Sequence, residues 1–105
     1  MTTAPIRSIA ALGAALVFAP AFASQELAQK NNCLACHAVT SKVVGPAYKE
    51  VATKYKGQKD AEATLVDHIK KGGSGRWGPI SMPPQSTLSD ADAKALAKWI
   101  LSQAK

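Results

Sequence analysis

Residues 33–37 read CLACH, and these five positions hold both cysteines of the chain and one of its two histidines. Three uses of such a cluster compete. A zinc site needs four ligands, commonly from a second close-spaced pair; the other histidine, His68, stands alone, and no third cysteine exists. A plain disulfide or a thioredoxin-like redox pair leaves His37 without a task, and the redox pair also wants a βαβ setting that a helical chain lacks. Covalent haem attachment, for which C-x-x-C-H is the signature, employs all three side chains. Cys33 and Cys36, three residues apart on one helical turn, can each add to a haem vinyl group. The imidazole of His37 then reaches the iron as its proximal ligand.

The first residues read as an address. Met1 to Ser8 carries one charge, Arg7, and Ile9 to Phe18 is apolar; Ala21-Phe22-Ala23 then supplies the small-x-small pattern of a cleavage site. The apolar run is about half the roughly 20 residues that a membrane-spanning helix needs. Residues 1–23 are therefore expected to be a signal peptide, and residues 24–105 one exported domain without stable membrane insertion. A domain this small buries little apolar surface and commonly depends on a staple such as a disulfide, a metal or a cofactor. One covalent haem c per chain would supply the missing core.

Apolar residues recur at helical rather than strand spacing, which predicts an all-α fold of about four short helices. Ser24 is a candidate cap for a first helix running through Glu26 and Leu27 toward Cys33. A second is expected from Pro46, with Tyr48, Val51, Ala52 and Tyr55 on one face and Gly57 as its end. A third runs from Asp60 to Lys71 with Leu65, Val66 and Ile69 inward and Gly72-Gly73 as its stop. In the last, Ser89 and Asp92 form a near capping box ahead of Ala93, Leu96, Ala97, Trp99 and Ile100. Leu27, Tyr48, Val51, Leu65, Ile69, Leu96 and Ile100 are the residues expected against the haem.

Between the third and last helices lies GGSGRWGPISMPPQSTL, too long for an ordinary turn. It contains Met82, the only thioether beyond Met1. Pro83 drives Met82 toward extended backbone, and Pro83 and Pro84 stiffen the segment where a ligand has to be presented. Met82 is thus the candidate second axial ligand of the iron, against the ordinary fate of methionine as a core filler. His68 is the rival ligand, in the middle of the third helix.

The chain carries a formal charge of +6, and Lys42, Lys49, Lys54, Lys56, Lys59, Lys70, Lys71 and Arg76 crowd its middle. A solvated surface accounts for most of them. A basic rim that steers the haem edge toward redox proteins with acidic docking patches is the sharper reading. Without a stripe of arginines and aromatics, nucleic acid is not an expected partner.

Four stretches, CLACH, VGPAYKEVATKY, IKKGGSGRWGPISMPP and LAKWILSQAK, together resemble the bacterial cytochrome c-551 (c8) type of class I cytochromes c, over essentially all of residues 24–105. The resemblance implies a class I cytochrome c fold and a monomeric periplasmic one-electron carrier. Its implied partners are nitrite reductase, a terminal oxidase, the cytochrome bc1 complex or small copper proteins. It also implies that the carbonyl of Pro46 accepts a hydrogen bond from the proximal imidazole, and that the indole of Trp77 donates to a haem propionate. His68 falls near a propionate in this alignment. Two residues depart from the pattern: Ser81 stands where a proline usually precedes the methionine, and Gln85 where an asparagine often approaches the sulfur.

No catalytic acid and base are grouped in the chain, so electron transfer rather than catalysis is expected. The alternative is a haem enzyme or gas-binding protein in which Met82 is a labile sixth ligand and the iron opens.

Overall fold

The computed structural model describes residues 21–104, with side chains from Ser24 onward. Four helices follow one another: α1 (Ala21–Lys30), α2 (Tyr48–Tyr55), α3 (Ala61–Lys71) and α4 (Asp90–Leu101), with a 3-10 turn at Cys33–Ala35 between the first two. Among the described residues there is no strand, only isolated bridges pairing His37 with Lys42 and Gly73 with Met82. No described helix is long and apolar enough to cross a membrane. The all-α expectation and the count of four helices are met.

Helix α4 is the hub, and α1, α2 and α3 each pack on it. Its sequence explains why. Ala93, Leu96, Ala97, Trp99 and Ile100 are all buried, with small and large side chains interleaved so that neighbours can approach on several sides. The helix begins where expected, since the Ser89 hydroxyl accepts from the Asp92 backbone N–H at 3.1 Å. Asp90 and Asp92 place negative charge at the positive end of its dipole. Tyr48 of α2 meets Trp99 of α4 edge-to-face, with ring centroids 5.2 Å apart, an arrangement worth about 0.5–1.5 kcal/mol beyond area burial.

Two helix starts differ from the sequence reading, and a third falls where expected but lacks its capping hydrogen bond. Helix α1 already includes Ala21–Ala23, so Ser24 lies within it and caps nothing; alanines carry no propensity penalty and let the helix run back past the serine. The rest of the expected signal peptide, residues 1–20, lies outside the described residues. Pro46 precedes α2 instead of opening it: Ala47 holds the N-cap position at φ −60° and ψ 142°. Asp60 occupies the N-cap position of α3, yet its side chain makes no capping hydrogen bond.

Tyr48, Val51, Ala52 and Tyr55 of α2 are buried, as are Leu65 and Ile69 of α3. Leu27, expected against the haem, instead packs partly buried against the helix core and is not on the wall of the cavity described below. It lies on α1, which the bundle sets against α4.

Candidate haem site

The turn after α1, the segment before α2 and the long loop after α3 enclose one side of a cavity of about 490 Å³. Such a volume falls within the ~300–1,000 Å³ usual for cofactor and ligand pockets. The inner walls come from Val51, Leu65, Ile69, Leu96 and Ile100, the face that the helical periodicity had marked. Cys33, Cys36, His37, Pro46, His68, Trp77 and Met82 all line this cavity. The structure therefore brings together every candidate site residue named from the sequence.

Asn32 enters the CLACH segment with a left-handed φ of 61°, a conformation asparagine tolerates better than most residues. The chain then tightens into the 3-10 turn, where the N–H groups of Cys36 and His37 both donate to the Cys33 carbonyl, at 3.2 and 2.9 Å. Both cysteines are free and partly buried. Burial pushes the Cys33 thiol above its ordinary pKa, with the neighbouring Tyr48 hydroxyl opposing it.

His37 is fixed from two sides. Its Nδ1 lies 2.8 Å from the Pro46 carbonyl oxygen. A carbonyl can only accept, so Nδ1 carries the proton, and in the neutral ring Nε2 keeps the free lone pair with which an imidazole binds a metal. Behind the ring lies Gly45, where a Cβ would come within 2.8 Å of Nδ1. The glycine also donates its N–H to the Cys36 carbonyl at 2.7 Å, closing the loop around the histidine. Tyr48 stacks on the imidazole with centroids 5.1 Å apart and planes 20° from parallel.

Across the cavity wall, Met82 is held through its backbone. It exchanges two hydrogen bonds with Gly73, 2.8 Å from the Met82 N–H and 3.0 Å to the Met82 carbonyl. The Gln85 N–H donates to the Ile69 carbonyl at 3.1 Å, tying the end of the same loop to α3. The side-chain amide of Gln85 donates to the Pro83 carbonyl at 3.1 Å, so it serves the loop backbone.

His68 sits on α3 with its ring edge-on to Tyr55, centroids 5.8 Å apart. Burial and the nearby charges of Arg76 and Lys54 hold its pKa below the ordinary imidazole value, against the pull of Asp67. Trp77 is 39 % exposed at the mouth, where the Lys54 ammonium lies 4.5 Å from its ring centroid. Val44 and Ile80, also on the cavity wall, are more exposed still.

The basic cluster is less uniform than its sequence suggests. Lys70 pairs with Asp90, and Lys71 with Asp67 one turn away. Lys42 and Arg76 are the basic residues of the cluster that reach the cavity wall.

The donor set selects among the uses of CLACH. No three His, Cys, Asp or Glu side chains among the described residues are grouped to hold a bare metal ion, which removes the setting zinc would need. What remains is a mostly apolar chamber with two thiols on its wall, one imidazole of fixed tautomer and one thioether. These residues suit a porphyrin: the thiols to tether it, the apolar helix faces to bury it and His37 Nε2 to meet its metal.

A family model described as cytochrome c matches residues 22–104. Cytochrome c-552 of Nitrosomonas europaea is 55% identical over 102 residues, covering 97% of this chain and 98% of that protein. Cytochrome c-551 of Pseudomonas aeruginosa is 56% identical over 77 residues, covering 73% of each. The crystal structure of wild-type Nitrosomonas europaea cytochrome c552 superposes with a TM-score of 0.72 at 59% identity, covering 74% of this chain and 96% of that one. Homologues of this kind carry covalently bound haem c, for which Cys33 and Cys36 supply the CxxCH thiols. With both the helical frame and the attachment sequence in common with these relatives, the chain belongs to the cytochrome c family of haem-bearing electron carriers.

Proposed function

We propose that the chain is a periplasmic one-electron carrier, exported by residues 1–23, in which Cys33 and Cys36 tether the haem while His37 and Met82 are the two axial ligands of its iron. The observation that carries this reading is the hydrogen bond from His37 Nδ1 to the Pro46 carbonyl. It leaves Nε2 free to coordinate in the cavity that Met82 also lines.

Bound haem c supplies a one-electron iron couple, and the protein's part is to bury it and keep its ligands fixed. Pro46 orients the His37 ring and makes its nitrogen a better donor. The Gly73 bridge holds Met82 in extended backbone, so that no movement of the loop has to accompany electron transfer. Val51, Leu65, Ile69, Leu96 and Ile100 keep water from the inner face. Trp77 lines the cavity and is partly exposed, and in this reading its indole N–H donates to a haem propionate. Partners are redox proteins with acidic patches, of the kind represented by cytochrome bc1, nitrite reductase, a terminal oxidase or small copper proteins.

The test is the ferric absorption spectrum, searched for the sulfur-to-iron charge-transfer band, together with carbon monoxide binding by the ferrous protein. The carrier shows the band and binds carbon monoxide poorly at neutral pH. Met82→Ala loses the band, binds carbon monoxide readily and has a lower reduction potential. A native protein that lacks the band and takes up carbon monoxide readily would instead be a gas-binding or catalytic haem protein.

A further inference from the structure

The loop that carries Met82 is tied down by side chains that neither the attachment motif nor the helix pattern involves. Arg76 folds back over the start of the loop. Its two terminal nitrogens donate to the Gly72 carbonyl at 3.3 and 3.4 Å. The same guanidinium lies across Gly73, within 3.1 Å of where a Cβ of that residue would stand. Gly73 is the residue that exchanges two backbone hydrogen bonds with Met82.

Arg76 is in turn held from outside the loop. Lys54 of α2 donates to the Arg76 carbonyl at 3.3 Å, and the same ammonium sits over the ring of Trp77. Within the loop, the Gly75 N–H donates to the Gly78 carbonyl at 2.8 Å. A continuous set of contacts thus runs from α2 through Lys54, Arg76 and Gly72–Gly73 to the backbone of Met82. A stretch rich in glycine would otherwise leave that backbone free to shift, since glycine restricts the chain least of all residues.

We propose that Arg76, braced by Lys54, is a positioning residue for the sixth ligand: its guanidinium clamps Gly72–Gly73 and so keeps the Met82 thioether on the iron against competing ligands. The proposal rests on the assignment of Met82 as an axial ligand. Arg76 acts only through the backbone that Met82 pairs with.

The experiment uses the haem-loaded protein and added imidazole as the competitor, titrated against the ferric form by absorption, with the sulfur-to-iron band as the second readout. Arg76→Leu keeps the aliphatic stem and removes both donors. Imidazole should bind it roughly tenfold more tightly than the parent protein, the scale expected when both donors to the Gly72 carbonyl are lost. The sulfur band should weaken at a lower temperature. Arg76→Lys keeps the charge without the two-pronged donor and should fall between the two. Lys54→Met should move imidazole affinity in the same direction as Arg76→Leu, by less.

Ser89→Ala serves as the control, because it removes the α4 cap, a hydrogen bond to the Asp92 N–H in which Arg76, Gly72 and Gly73 take no part, and so lowers global stability without touching the clamp. It should leave imidazole affinity at the parent value. If the parent protein shows no sulfur band, the ligand assignment fails and the clamp fails with it. If the parent shows the band while Arg76→Leu binds imidazole as the parent does, the clamp alone is overturned. Equal gains in Arg76→Leu and Ser89→Ala would also overturn it, since the effect would then be one of general stability.

Discussion

Gly72 and Pro84 approach so closely that a Cβ on the glycine would stand 2.8 Å from the proline nitrogen. Gly72 also ends α3 with φ at +65°, a value that costs residues with a side chain. Both demands fall on one residue because the chain leaves α3 and returns as the Met82 segment against the same point. Gly72→Ala therefore carries backbone strain of about 1–3 kcal/mol and, in addition, pushes residues 82–84 outward. Chemical denaturation of the haem-loaded protein should show the stability loss, and the sulfur-to-iron band should weaken in the folded state. A variant that loses stability but keeps the full band would mean that the collision is relieved within α3.

Gly45→Ala tests the proposed ligand His37. A methyl at this position would overlap the His37 ring, whose Nδ1 is 2.8 Å from the ideal Cβ. The ring cannot retreat without breaking its hydrogen bond to the Pro46 carbonyl. The expected result is a loss of about 1–3 kcal/mol, typical of overpacking, together with a changed reduction potential as the His37 imidazole, the proposed iron ligand, loses its partner. Unchanged potential and stability would show that the loop before α2 shifts freely.

The contrast between these glycines and the motif residues shows what a sequence can display. The haem-attachment cysteines, and His37 and Met82 as the proposed iron ligands, stand out because the chemistry proposed for them needs particular side chains at short spacing or on a proline-stiffened loop. The helices are legible for a similar reason: Ala93, Leu96, Ala97 and Ile100 repeat with the helical period, and Ser89 announces the start of α4. Gly45 gives no comparable signal, and Gly72 is legible only as the stop of α3; the close approach that excludes a side chain at each comes from an atom elsewhere in the fold. The same holds for Arg76, which reads as one charge among many until its guanidinium is found on the Gly72 carbonyl. Lys70 and Lys71 appear in the sequence as part of a basic rim, and only the packing of α3 beside α4 reveals that Asp90 is within reach of Lys70. Pro46 has the composition of a helix start, but its carbonyl is committed to His37 and the helix opens later.

His68 is expected to make the protein responsive to pH. Its surroundings are the Tyr55 ring and Lys54 from α2, Arg76 from the loop, and Asp67 on its own helix. Burial and the two cations depress its pKa, so the folded protein binds this proton less readily than the unfolded chain does. Its contribution to stability is therefore present above the ordinary histidine value of about 6.5 and is lost as pH falls through the depressed value. Protonation also places a cation beside the cavity and opposes ferric iron. The reduction potential should then fall as pH rises through the His68 titration, and His68→Gln should flatten the dependence. A potential in the parent protein that stays level from about pH 5 to 8 would sever His68 from the redox centre.

Lys42 tests whether the basic charges act on partners. Lys70 and Lys71 already have carboxylates beside them, and Lys54 is engaged with Trp77 and the Arg76 carbonyl. Lys42 is exposed and stands on the cavity wall, so its charge is placed to meet an acidic patch docking at the mouth. Exposed charges steer encounters over roughly the screening length, about 10 Å at 0.1 M salt, and act mainly on the association rate. Second-order electron exchange with an acidic redox partner should slow as salt is added. Lys42→Gln should lower the rate at low ionic strength and make it less sensitive to salt, whereas Lys71→Gln should change it much less. Stopped-flow measurements over a range of ionic strength separate the two variants. Equal effects from Lys42 and Lys71 would assign steering to net charge rather than to the mouth of the cavity.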